Sequence, residues 1–325
     1  MNRITNSFLK ISLLAALFFP LAMKAQPAHI EFAPSATYLF GQRDTAALYM
    51  DVYDPAPGSQ TSFEGCPKPT ILWLCGGGFI SGDRANPAYL SWFEKLTGEG
   101  YRVVSADYVP ALKGKQLKYS LWTMVHNAHL LLDACMNVGV QDCFAAVRFL
   151  LDNSDALGID PAGIVLAGSS AGALIALTAE WELSCRMPNA KVLPEDFYFA
   201  GVMSFAGGVI GNRGTPRWDR EPSHLLLFHG VEDGLVPYTG KRFFRLGLFG
   251  SSSLADALTK QGYPYWIVRL VGHGHDVSEC MIYLWDWEKA WLEQNVMQCS
   301  GRCSDETLYD PSIPAWWKGD INDYK

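Results

Sequence analysis

The chain has 325 residues, 49% of them apolar and 18% charged, with a formal charge of −7. That is ample material for a core and suits one large globular domain or two small ones, and no internal repeat or low-complexity tract interrupts it. An acidic chain without a Lys/Arg cluster argues against nucleic acid as a partner.

Residues 1–25 read MNRITNSFLKISLLAALFFPLAMKA. Basic Arg3 and Lys10 lie before an apolar run from Ile11 to Ala22, and Ala25 offers a small residue for cleavage ahead of Gln26. This is the layout of a secretory signal, and the run is too short to span a bilayer comfortably. The expected mature chain is therefore 26–325, secreted or periplasmic, without stable membrane insertion, since no other segment reads as long and apolar enough to cross. Loss of Arg3, Lys10 and Lys24, with no acid among those residues, moves the formal charge from −7 to −10. Eight cysteines (66, 75, 135, 143, 185, 280, 299 and 303) are too sparse for a disulfide-stapled mini-fold. Their pairing is not readable, although Cys299 and Cys303 in CSGRC are close enough in sequence to bridge. No CxxC…CxxC pattern indicates a zinc ribbon.

Along the chain, Ala36 to Tyr53 alternates about a turn at Gln42–Asp44, which predicts an antiparallel hairpin. After the Pro/Gly/Ser-rich loop 54–69, TILWLC (70–75) is a short apolar run suited to a buried strand, followed by CGGGFISGD and a helix pattern from Pro87 to Gly98. YRVVSADY (101–108) predicts the next strand, and residues 119–153 carry two helical patterns, the second with Phe144, Val147 and Leu151 on one face. A strand at 163–168 runs directly into the helix AGALIALTAEW. Three further apolar runs (200–207, 223–230 and 263–272) precede a final long helix pattern, SECMIYLWDWEKAWLEQ. Apolar strands separated by helices predict an α/β fold: a mainly parallel central sheet with an antiparallel N-terminal edge and helices on both faces. The expected core runs from about 36 to 295, with an irregular tail over 299–325. Function in such sheets collects in loops beyond the carboxyl ends of the strands.

Gly168-Ser169-Ser170-Ala171-Gly172 fits G-x-S-x-G with Ser170 at the centre. A strand turning straight into a helix forces its apex residue into strained dihedrals, and small residues two positions away let the turn close. The apex hydroxyl then projects above the sheet beside a helix N-terminus. Ser169 is off the apex and reads as structural. A serine nucleophile needs a base, and the base needs an orienting acid. Of seven histidines, His29 is near the mature N-terminus, His126 and His129 are on a helix pattern, and His224 begins a strand. His229 ends a strand in HGVEDGLVP, while His273 and His275 follow the last strand in VGHGHD. Glu232 and Asp233 are the acids in the first of these loops.

The segments LYMDVYDP, CGGGFISGD, SADY, FAAVRFLLDN, IDP, AGSSAG, HGVEDGLVP and GHGH together resemble the α/β-hydrolases of the esterase/lipase group, close to carboxylesterases and hormone-sensitive-lipase-like enzymes. The order Ser170, Asp233, His275 is the order that superfamily uses. The resemblance selects Asp233 over Glu232 through HG-x-x-D-x-x-V-P, and His275 over His273 through G-x-G-H. It also implies an oxyanion hole made by the N–H groups of Gly77, Gly78 and Ala171. Cys75 departs from the family, standing where many relatives have His and some Tyr; backbone donors should tolerate this change.

A phosphate-cradling reading of CGGGFISGD fails because no G-K-[ST] follows. As metal ligands, His273 and His275 lack a third nearby partner in sequence, so neither a metal nor an organic cofactor is expected. The resemblance implies scaffold roles for Asp142 and Arg148. The aromatic tail (Trp316, Trp317, Tyr324) could stack on sugars, but packing on the domain is favoured. Segments 185–197 and 211–222 could roof the pocket. The expected activity is that of a serine esterase on carboxylic esters, its partner a small-molecule or carbohydrate ester. The alternatives are peptidase- or lipase-like chemistry on the same fold, or a non-catalytic binding module.

Overall fold

The computed structural model describes residues 32–44, 46–113, 121–212, 214–243 and 246–317. The expected signal segment 1–25 and Tyr324 lie outside them. In chain order the chain opens with strands β1 (Ala36–Arg43) and β2 (Ala46–Tyr53), a two-residue ribbon of β3 (Ser62–Phe63) and β4 (Cys66–Pro67), then β5 (Thr70–Leu74), helix α1 (Pro87–Gly98) and β6 (Arg102–Ala106). Next come α2 (Leu121–Asp152), the single turn α3 (Ser154–Leu157), β7 (Ile164–Ser169), α4 (Ala171–Ser184), β8 (Gly201–Phe205), β9 (Gly208–Gly211) and β10 (Leu225–Gly230). The chain continues with β11 (Lys241–Phe243), β12 (Leu246–Gly250), α5 (Ser251–Gln261), β13 (Trp266–Leu270), α6 (Trp285–Trp291) and β14 (Ser304–Leu308).

Nine strands form the central sheet in the order β1-β2-β6-β5-β7-β8-β10-β13-β14. The pairs β1/β2 and β2/β6 are antiparallel and every later pair is parallel, so the hairpin makes the antiparallel edge. The middle strands β5, β7 and β8 are buried at every residue, as strands covered on both faces must be. On one face Trp73, Trp92, Phe93 and Phe205 pack as a tilted aromatic cluster, with the Trp73 and Trp92 rings 4.8 Å apart.

The helices form for local reasons. Asn86 caps α1 by accepting the Ala88 N–H at 3.0 Å, Pro87 opens it, and Tyr89, Trp92, Phe93 and Leu96 make its buried stripe. Helix α4 has no polar face, and all but one of its residues are buried. Residues 121–152 form one helix rather than two, because a helical period marks the buried face and not continuity. Its segment Leu132–Asp152, with mean hydropathy 1.3, is long and apolar enough to cross a membrane by length and composition, which the sequence reading overlooked; 56% of it is buried within the fold, as suits a core helix.

Two other expectations are corrected. The last helical pattern breaks into two 3₁₀ turns (His275–Glu279 and Met281–Tyr283), α6, and a π-helical turn over Leu292–Met297. The tail is not wholly irregular, since β14 adds to the sheet beside β13. Cys299 and Cys303, whose pairing the sequence leaves open, are both exposed free thiols. A second sheet, β11-β12-β9, was not foreseen.

The tightest packing lies where β7 turns into α4. A Cβ on Gly172 would sit 2.0 Å from the Leu74 carbonyl oxygen, and one on Gly168 would sit 2.5 Å from the Gly172 backbone. Helix and sheet therefore meet backbone to backbone. Gly172→Ala should lower unfolding stability by at least about 2 kcal/mol, read as a reduced urea midpoint. An unchanged midpoint would show that the helix can lift off the sheet without cost.

Candidate active site

Ser170 stands between β7 and α4 with φ 50° and ψ −116°, a conformation that non-glycine residues rarely adopt. Its N–H donates to the Phe205 carbonyl at 2.9 Å, which fixes the apex to the neighbouring strand. The side chain points to the loop after β13, where Ser170 Oγ lies 2.8 Å from His275 Nε2. His275 Nδ1 in turn lies 2.8 Å from Asp233 Oδ2, on the loop after β10. Three residues far apart in sequence thus meet at the carboxyl ends of three neighbouring parts of one sheet.

Asp233 is buried and well supplied with donors. Its Oδ1 accepts the N–H groups of Leu235 and Val236, both at 2.9 Å, and its Oδ2 also lies 3.4 Å from His229 Nε2. Burial pushes its carboxyl up, but bonds to His229 and His275 outweigh this and hold it at about 2. His229 had no role in the sequence reading, although it begins the HG-x-x-D motif. A buried carbonyl can only accept, so His229 Nε2 carries the proton it gives to Val236 O at 2.9 Å, and Nδ1 accepts from Ser251 Oγ at 2.8 Å. The ring therefore braces the loop that carries Asp233.

The alternatives to these residues fall elsewhere. The Glu232 side chain is exposed, and its N–H donates to His273 O at 2.9 Å. His273 Nδ1 is 2.6 Å from Asp276 Oδ2, while Asp276 Oδ1 accepts the Gly274 N–H at 2.7 Å. Asp276 and Cys280 are the nearby partners that sequence spacing failed to show for His273, the three ligand atoms lying within 4.8 Å of one another. Burial pushes the Cys280 thiol up to about 12, and it donates to the Asp276 carbonyl at 3.2 Å. These bonds lock the turn that presents His275.

The glycine loop after β5 faces the same space. Gly77 and Gly78 have φ 144° and 61°, and a Cβ on Gly77 would lie 2.0 Å from Ser81 O. The Gly77 carbonyl accepts the N–H groups of Ile80 and Ser81, both at 3.0 Å. Ala171 is the first residue of α4, where N–H groups lack partners within the helix. Cys75, the departure from the family pattern, is buried under this loop. Burial pushes its thiol up to about 12, partly offset by the Asp83 N–H. Its carbonyl accepts Tyr108 Oη at 2.9 Å. The change thus leaves a neutral packing group beneath backbone donors. Arg84 clamps the far end of the loop, pairing with Asp51 at 2.8 Å and Asp107 at 2.9 Å, while its carbonyl accepts Ser105 Oγ at 2.8 Å.

Comparison with known proteins gives a consistent result. The family model described as BD-FAE matches residues 113–187. Secreted lipase 1 of Botryotinia fuckeliana is 27% identical over 127 residues, which are 39% of this chain and 20% of that protein. Gut esterase 1 of Caenorhabditis briggsae is 31% identical over 105 residues, 32% of this chain and 17% of that protein. The chain thus spans a fifth or less of these curated relatives. Among solved structures, a thermophilic esterase of Thermogutta terrifontis, Est2 with propionate bound, superposes with a TM-score of 0.57 at 20% identity, covering 82% of this chain and 97% of that one. This chain has an α/β-hydrolase fold.

In this fold, a cavity of about 430 Å³ opens above Ser170 and His275. Gly77, Gly78, Leu235 and Tyr89 form its walls, and Asp83, Asn86, Glu279 and Trp317 add a polar and aromatic rim. Burial pushes the Glu279 carboxyl up and the nearby His275 opposes it. Among the described residues lining this cavity, none comes from 185–197 or 211–222, which corrects the expected roof. Those segments are tied to each other and to α4: Arg220 donates to the Phe197 carbonyl at 3.3 Å, Trp181 Nε1 donates to the Arg217 carbonyl at 3.0 Å, and Asn189 Nδ2 donates to Glu182 Oε2 at 2.9 Å. The tail supplies the wall instead. Its Trp317 carbonyl accepts the Asp276 N–H at 3.0 Å, and the Trp317 ring meets the His275 ring edge-on at 5.2 Å, while Trp316 is exposed. Asp142 is a scaffold contact, buried against Arg43 at 2.8 Å and the Val109 N–H at 2.9 Å. Arg148 makes a local surface pair with Asp152.

The depressed Asp233 carboxyl has a consequence for folding. Its folded value of about 2 lies below its ordinary 3.8, so its stabilisation is fully present above that ordinary value and lost as pH falls towards 2. The difference corresponds to about 2 kcal/mol. Urea unfolding should show the stability gap between wild type and Asp233→Asn narrowing by about that amount between roughly pH 5 and pH 2. A constant gap would mean that the imidazoles do not hold the carboxylate ionised.

Proposed function

We propose that this protein is an exported serine hydrolase that cleaves carboxylic esters. The observation that carries this reading is the continuous chain from Asp233 through His275 to Ser170, with both links at 2.8 Å and the serine on a strained turn. Ser170 Oγ attacks the ester carbonyl while His275 Nε2 takes its proton. Asp233 holds the imidazole with its Nδ1 proton directed away from the serine and stabilises the charged ring. The tetrahedral oxyanion is received by the N–H groups of Gly77, Gly78 and Ala171, each such donor being worth roughly 3 kcal/mol in serine hydrolases. His275 then gives its proton to the leaving alcohol, and water attacks the acyl-enzyme by the same route in reverse. No metal or organic cofactor enters these steps.

The related Thermogutta terrifontis esterase 2 is described with propionate and with butyrate bound, which supports short acyl groups here. Its descriptions as phosphorylated by paraoxon and phosphonylated by sarin support a covalent route. The polar rim of Asp83, Asn86 and Glu279 suits a small or hydroxyl-rich alcohol, including that of an acylated carbohydrate. Residues 1–25, with the likeness to a protein named secreted lipase 1, support export, with cleavage after Ala25.

Ser170→Ala and His275→Ala should each lower kcat/KM on p-nitrophenyl acetate by about four orders of magnitude or more, and Asp233→Asn by nearly as much. The Ser170 variant should keep its thermal midpoint and lose labelling by a fluorophosphonate probe. Retained turnover or labelling in folded Ser170→Ala protein would refute the assignment.

A further inference from the structure

Two serines stand side by side at the elbow, and Ser170 accounts for only one of them. Ser169 is 1% exposed and its hydroxyl donates to the Ser278 carbonyl at 2.6 Å. Its Oγ also lies 3.4 Å from Tyr89 Oη, which in turn lies 3.4 Å from the Gly76 N–H. A Cβ placed on Gly76 would touch both hydroxyls, at 3.2 Å each, so these groups converge on one point.

The direction of every proton in this chain is set by its ends. The Gly76 amide can only donate and the Ser278 carbonyl can only accept. Ser169 spends its one proton on Ser278, so it must accept from Tyr89, and Tyr89 is left to accept from Gly76. The series Gly76 N–H, Tyr89 O–H, Ser169 O–H, Ser278 C=O is therefore satisfied in one sense only. Burial pushes the Tyr89 phenol well above its ordinary range, so the hydroxyl keeps its proton.

Each end of the series is anchored beside a group that the proposed reaction uses. Gly76 precedes Gly77 and Gly78, Ser169 precedes Ser170, and Ser278 shares the 3₁₀ turn that begins with His275. Tyr89 reaches in from α1, which is fixed to the sheet by its buried stripe. Taken with the ester-hydrolase reading on which it rests, we propose that Ser169 and Tyr89 are positioning residues that hold the oxyanion loop, the nucleophile turn and the histidine turn in register. Neither touches the substrate carbonyl; they act through the backbone of the three loops.

Misregister of the order of 1 Å between reacting groups costs roughly 100-fold in rate. Ser169→Ala and Tyr89→Phe should each lower kcat on p-nitrophenyl acetate by roughly 10- to 100-fold, with KM moving less than about threefold. Affinity for a trifluoromethyl ketone, which mimics the tetrahedral adduct, should fall in step with kcat/KM. Because the two residues serve one series, the double variant should resemble the worse single variant and not the product of both. Rates are referred to active sites counted by fluorophosphonate titration, so loss of folded protein cannot imitate the effect. Wild-type kcat and ketone affinity per titrated site, or multiplicative losses in the double variant, would overturn the proposal. Ser170→Ala serves as the separate control: if it is inert while Ser169→Ala is unaffected, only the positioning role fails, and if it turns over, the underlying reading fails.

Discussion

Everything at the site depends on the lack of room between β7, β5 and α4. The Leu74 carbonyl lies where a side chain on residue 172 would have to be, and the backbone of residue 172 lies where one on residue 168 would be. A strand that must become a helix in so little space passes its apex residue through the left-handed region, which costs on the order of 1–3 kcal/mol for a residue with a Cβ. The surrounding structure over-determines that conformation. Helix α4 is buried almost throughout, and the Ser170 N–H is held by β8. The turn therefore cannot relax without unpacking the core, and Ser170 Oγ stays above the sheet at the N-terminus of α4.

Asp233 shows how two opposed effects are balanced. Burial alone pushes its carboxyl up, towards the neutral form, and a neutral acid is a poor partner for a charging imidazole. Two backbone N–H groups and two imidazoles reverse that outcome. The two histidines differ in what they do. His229 has both ring nitrogens occupied by Val236 O and Ser251 Oγ, so it braces the loop. His275 has one nitrogen on Asp233 and the other on Ser170, which is the arrangement the proposed reaction requires of its base. Near-identical groups around one carboxylate thus acquire separate tasks from the partners of their second nitrogen.

Ser170 was legible because its requirement is local: glycine two positions to either side of a residue between an apolar strand and a helix. The sheet was legible for a similar reason, since β5, β7, β8 and β10 are apolar throughout. His275 and Asp233 were legible only through their order and the family pattern, because nothing local separates them from His273 and Glu232. What stayed hidden was non-local. Arg84 meets Asp51 and Asp107, each more than twenty residues away, and an isolated arginine in a loop gives no sign of that. His229, at the end of an apolar strand, looks like a core residue until its neighbours are known. The path of the tail depends on where Ile313 is buried and where β14 joins the sheet, so the place of Trp317 beside His275 could not be read from aromatic content.

The cavity has two kinds of lining, and they are held in different ways. Gly77, Gly78, Ser170 and His275 are fixed by backbone bonds, close glycine packing and buried polar groups, so their positions are set by the fold itself. Asp83, Glu279 and Trp317 stand at the rim, where a change of side chain alters little of the core, whereas Asn86 at the same rim also caps α1. Trp317 joins the two groups, because its carbonyl holds the Asp276 N–H while its ring meets His275. A substitution that keeps the main chain of residue 317 but changes its ring would thus reshape the mouth of the cavity and leave the carbonyl anchor in place. In this fold the rim can change what enters the cavity while the core preserves the geometry beneath it.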